Sequence, residues 1–148
     1  MSHAASIYVY TSAFHNLSIP EIIEIYISNG WNLNDFGHIS LRPLGDKDDF
    51  NWIELELNQV DELFEIIMQK VKANEDPAVV LMLDETEIGA TATFSPEKEL
   101  IWFHLLINTK RLPILTEWTD LSWYLPYMTI PLSKNGVGPY QIETLEAL

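Results

Sequence analysis

The chain has no cysteine. A disulfide framework is therefore excluded, as is a thiolate nucleophile or metal ligand, and the composition suits a reducing compartment such as the cytoplasm. Cations are scarce: eight Lys and Arg stand against 22 Asp and Glu, a net charge of −14. Such a chain repels nucleic acid and anionic lipid at long range and attracts basic partners. No apolar run reaches the roughly 18 residues that a membrane-spanning helix needs, so no membrane span is expected. The opening Met-Ser-His-Ala-Ala-Ser lacks a basic stretch followed by an apolar one and does not read as a secretory signal. Residues 1–5 are expected to fray.

Catalytic and cofactor motifs are missing as well. The serines sit in no G-x-S-x-G elbow, and the six glycines form neither G-x-G-x-x-G nor a phosphate loop; Gly136-Val137-Gly138 is an isolated G-x-G. His3, His15, His38 and His104 follow no metal-binding spacing, and His104 reads as a core histidine on an apolar strand. Asp46-Lys47-Asp48-Asp49 has carboxylates two apart but lacks the glycine and terminal Glu of a calcium loop, so it reads as a solvated turn. No metal and no cofactor are expected.

Regular structure is nonetheless legible. Val79 to Leu83, Ile88 to Phe94 and Leu100 to Ile107 are strand-length runs separated by two short polar clusters, too short for any crossover helix. They predict an antiparallel meander. In its middle strand Ile88, Ala90, Ala92 and Phe94 share one face, where small residues leave room for a helix. Leu100 to Ile107 is apolar at nearly every position, which predicts a strand inside the sheet or one with an interface on its second face.

Before the meander, Ser6 to Ser12 predicts a strand, and Ser18 and Glu21 form a capping box that opens a helix with Ile22, Ile23, Tyr26 and Ile27 on its apolar face. Trp31 to Phe36 reads as a loop and His38 to Leu44 as a strand. Trp52 to Leu57 alternates cleanly, predicting Ile53, Leu55 and Leu57 toward the core and Trp52, Glu54 and Glu56 away from it. A second helix follows, with Asn58 as cap, Val60, Leu63, Phe64, Ile67 and Val71 as its core stripe, and Lys70 and Lys72 complementing its dipole. After the meander, Pro126 and Pro131 break the helical pattern, so Thr119 is expected to cap one or two short turns. Tyr140 to Leu145 reads as a final edge strand. The sum is a single α+β domain: a five- to six-stranded, mainly antiparallel sheet with two main helices and a short C-terminal helical segment.

The acidic excess is concentrated. Asp46 to Glu65 holds eight carboxylates against Lys47 alone. Asp46, Asp48, Asp49, Glu54 and Glu56, with Trp52, are candidate partner-binding residues on a hairpin; Glu117, Trp118 and Asp120 form a second candidate, a ring beside acids with no base in the segment. Aromatic anchors contribute burial and the charges contribute steering and specificity toward a basic partner.

A small, single-domain, strongly acidic chain without catalytic motifs resembles, in its general character, the bacterial immunity proteins of contact-dependent and polymorphic toxin systems. The resemblance implies a non-enzymatic, cytoplasmic protein that binds a co-inherited toxin and blocks its active site, the carboxylates standing where substrate phosphates would if the toxin is a nuclease. Two other classes fit the residues: a small hydrolase using a carboxylate pair such as Glu54 and Glu56, and an adaptor that forms a homodimer through Leu100 to Ile107 or the aromatic segment after it.

Overall fold

The computed structural model describes residues 4–46 and 50–147, and its backbone is organised by the meander: β5 (Ala78–Leu83), β6 (Gly89–Ser95) and β7 (Leu100–Ile107), paired antiparallel in sequence order. Five further strands extend it to eight: β1 (Ala5–Tyr10), β2 (Trp31–Asn32), β3 (Ile39–Leu41), β4 (Ile53–Leu55) and β8 (Gln141–Leu145). The order across the sheet is β4-β3-β5-β6-β7-β1-β8, with β2 also on β5, and all pairs are antiparallel. The expected class holds and the strand count rises. Trp31 and Asn32 pair with Leu83 and Met82 instead of looping, and Ala5, 1% exposed, begins β1 instead of fraying. Residues 1–3 lie outside the described residues.

Strand parity assigns the core. Ile7, Val9, Ala90, Ala92, Phe94, Ile101, Phe103 and Leu105 point to one face and join one buried cluster with the inward residues of all three helices. Helix α1 (Ile19–Ile27) has the complete capping box: Ser18 accepts from the Glu21 N–H and Glu21 from the Ser18 N–H. It buries Ile22, Ile23 and Tyr26, but Ile27 is exposed. Helix α2 (Val60–Lys72) buries Leu63 and Ile67. Its N-cap is Gln59, not Asn58, and the Gln59 side chain accepts from the Glu56 N–H across the preceding turn. β7 lies between β6 and β1, as its apolar character requires.

Helix α3 (Leu121–Lys134) overturns the expectation of short turns, for it runs through both Pro126 and Pro131, and its N-cap is Asp120, not Thr119. A proline removes the N–H that would reach the carbonyl four residues earlier and normally disrupts the helix. Here the carbonyl released by Pro131, that of Tyr127, accepts the Trp31 indole N–H at 2.9 Å. One residue on, the Met128 carbonyl accepts the Tyr26 hydroxyl at 2.6 Å. The carbonyl that Pro131 releases is thus satisfied by a tertiary contact, and Tyr26 adds a second bond to the same turn.

Replacing Trp31 by Phe keeps an aromatic side chain, smaller than the indole, and removes the donor. Trp31→Phe is expected to lower stability by about 1–3 kcal/mol in urea unfolding. In a Pro131→Ala background, where a helical N–H can reach the same carbonyl, the loss should shrink; equal losses in both backgrounds would show that the Tyr127 carbonyl is not the link.

Candidate functional site

A tight turn joins the acidic hairpin to α2. The Gln59 N–H donates to the Glu56 carbonyl at 2.9 Å, while its side chain accepts from Glu56 N–H at 2.8 Å and donates to Glu62 Oε2 at 2.7 Å, which links Glu56 to Glu62. Glu54, Glu56, Asp61, Glu62 and Glu65 are all exposed along this stretch. Asp61 and Glu62 complement the helix N-terminus. Asp61 and Glu65, four apart on one face, repel each other slightly. His38 stands against the edge of this row, with Nε2 3.3 Å from Glu54 Oε1 and 3.9 Å from Asp35 Oδ2.

Apolar groups share the edge. Phe50, Ile53 and Leu57 are 48%, 37% and 42% exposed, and Trp52 is half-buried. The expectation that Ile53 and Leu57 reach the core is corrected: the strand runs only from Ile53 to Leu55 and is the outermost of the sheet, so its inward parity meets the rim of the core.

Asp46 is not on this surface. It is 4% exposed, and its carboxylate accepts from the Phe50 and Asn51 amides at 3.2 and 2.6 Å, with Arg42 Nε 3.9 Å away. Beside it Lys70, which sequence places in the last turn as a solvated dipole partner, is fully buried and donates to Glu75 Oε1 and to the Pro43 and Asp46 carbonyls at 2.7–2.9 Å. Asp46 closes the turn instead of presenting its charge. Asp48 and Asp49 lie outside the described residues.

The second candidate sits elsewhere. Glu117 and Trp118 belong to the loop between β7 and α3, where Arg111 pairs with Thr119 and Thr119 binds the Glu146 carboxylate just after β8. Asp120 accepts from the Trp123 N–H and the Ser122 hydroxyl as the helix cap. Six strand steps, on the order of 30 Å at ~4.8 Å each, separate this side of the sheet from β4. The segment is also not free of bases in space: Arg111 donates to the Glu117 carbonyl and Lys110 lies over the Trp123 ring. The structure therefore keeps Trp52, Glu54 and Glu56 together, links Glu56 to Glu62 through Gln59, and leaves Glu117, Trp118 and Asp120 apart. Asp61 and Glu62 are legible in sequence as dipole partners; the link from Glu56 to Glu62 is not.

The face of the sheet opposite the helices carries Ser6, Tyr8, Trp102 and His104. Trp102 donates to the Ser6 hydroxyl at 2.9 Å, stacks on Tyr8 at 5.9 Å and lies 5.4 Å from the His104 ring. His104 is thus half-buried on the open face, not in the core as sequence suggested. At one end of this face a cavity of about 200 Å³ is lined by Arg42, Phe50, Asp76, Lys98 and Trp102 among others. Two carboxylates are held below the ordinary range: Glu21 by hydrogen bonds from Ser18, and Glu99 by those from Tyr140 and His15. Both shifts stabilise the charged form at exposed positions and have structural causes. Among the described residues no group of three or more His, Asp or Glu could hold a metal ion, and no helix is long and apolar enough to cross a membrane.

No protein-family model matches the chain, and no curated protein or solved structure compared with it matches.

Burial lowers the pKa of His104 below the ordinary 6.5. The unfolded chain then binds the proton more readily than the folded one, so stability falls as pH drops below about 6.5 toward the folded value. His104→Gln is expected to flatten that part of the stability profile in urea titrations between neutral and mildly acidic pH. An unchanged slope would rule out His104 as its source.

Proposed function

We propose that this chain is an acidic, non-enzymatic protein-binding module that neutralises a basic protein in the cytoplasm, as an immunity protein does when it occludes the active site of a cognate bacterial toxin such as a nuclease. The observation that supports this reading is the run of exposed carboxylates Glu54, Glu56, Asp61, Glu62 and Glu65 along β4 and the start of α2, in a stretch that also exposes Phe50, Ile53 and Leu57. Two of the eight cations, Arg42 and Lys70, are buried with Asp46 and Glu75, so the net charge of −14 is borne by the rest of the chain.

The division of labour follows from magnitudes. Exposed ion pairs contribute only about 0.2–1 kcal/mol each, so the carboxylates act chiefly by steering encounter and rejecting wrong partners. Burial of Trp52, Ile53 and Leu57 supplies the affinity, at roughly 25 cal/mol per Å² of apolar surface before ordering costs. Against a nuclease, carboxylates at this spacing occupy a basic groove made for phosphates.

Affinity capture from the native organism tests the reading. A stoichiometric basic protein retained at low salt and released at high salt is the expected result; no such protein, or retention indifferent to salt, would overturn it. With that partner, Glu54→Lys/Glu56→Lys is expected to slow association about tenfold or more at low ionic strength. The difference should close near 1 M salt, where the screening length is about 3 Å.

A further inference from the structure

β4 closes one side of the sheet: its pairing among the described residues is with β3 alone. In an antiparallel pair, alternate residues turn their N–H and C=O groups toward the neighbour and the intervening residues turn theirs away. The outer side of β4 therefore presents backbone donors and acceptors. Side chains alternate as well. Glu54 stands opposite Ser40 on the open face, and Ile53 and Leu55 stand opposite Leu41 and Ile39 on the helix-covered face. Beyond Leu55 the chain turns toward α2, and the Glu56 N–H and carbonyl are both taken by Gln59, so β4 offers a three-residue edge. Ile53 and Leu57 are exposed at this rim.

Charge decides what can continue the sheet here. A second copy laid against β4 in register would bring its own Glu54 beside this one, and like charges on neighbouring strands are destabilising. A strand with a cation at that position meets the opposite condition.

We infer that β4 accepts an extended segment of the basic partner as an added strand, with Lys or Arg beside Glu54 on the open face, within reach of Glu56 just beyond the strand, and apolar side chains beside Ile53 and Leu55 on the other. The inference rests on the basic-partner reading and adds its mode: main-chain hydrogen bonds give affinity, and alternate side chains give specificity. His38, 3.3 Å from Glu54, is the group an incoming cation meets first.

The test uses the full chain, isotopically labelled, with a capped peptide of alternating Lys and Val. Its control is the same peptide N-methylated at alternate residues, which keeps the charge and removes the donors of one edge. At low salt the unmodified peptide is expected to slow amide exchange within 53–55 by about tenfold, and the methylated one to bind about tenfold more weakly without protecting those amides. In Glu54→Lys/Glu56→Lys the preference should pass to the Glu-Val peptide. If both peptides bind equally and the amides stay unprotected, strand addition is overturned while a basic partner captured in a salt-sensitive manner still stands. If neither peptide binds at low salt, strand addition also falls, and the basic-partner reading is decided separately by the capture experiment.

Discussion

The contact among Tyr26, Trp31 and Phe103 holds the layers of this protein together. Trp31 stacks on Phe103 at 6.0 Å between ring centroids, and the Tyr26 ring meets both edge-on at 6.3 and 5.6 Å. Each such pair adds about 0.5–1.5 kcal/mol beyond area burial. The polar ends of the same two residues reach the carbonyls of α3. One cluster thus anchors α1 to the central strand β7 and makes a proline-bearing helix tenable. Burial raises the Tyr26 pKa far above its ordinary value, which keeps its hydroxyl a donor at any physiological pH.

A second, polar cluster sets where the charge goes. Lys70 and Arg42 are enclosed by Glu75, Asp46 and backbone carbonyls at the junction of α2 with the turn after β3. Burying such charges is costly unless every group finds partners, and removing one partner strands the others. Here the result is positional: the carbonyls of Pro43 and Asp46 are tied to the last turn of α2, and the hairpin that leads to β4 leaves from a fixed point.

What could be read in the sequence was whatever depends on near neighbours. The Ser18–Glu21 capping box, the stripe of α2, the meander and the interior place of β7 each follow from spacing within a few residues, and each is present. The failures share a different cause. The two prolines of α3 were read as breaks because the donors that rescue it, Trp31 and Tyr26, lie about a hundred residues earlier. Asp46 read as a surface acid because the amides it accepts become available only when the turn folds back. Clean alternation from Trp52 to Leu57 signalled a good strand, but alternation says nothing of whether a strand is central or outermost. The candidate surface was legible as residue types at Trp52, Glu54 and Glu56; its union with α2, and its distance from Trp118, required the topology.

The place of β1 has a consequence for how the chain acquires its structure. It is the first strand in the element order, yet it pairs with β7 and β8, the last two. Pairings of such high contact order close large loops before they are rewarded, which slows folding. Ile7 and Val9 therefore have no strand partner until β7 is in place, whereas β5, β6 and β7 pair with sequence neighbours. β1 and β8 lie side by side at one side of the sheet, and a chain cut short before β7 leaves β1 with nothing to pair against.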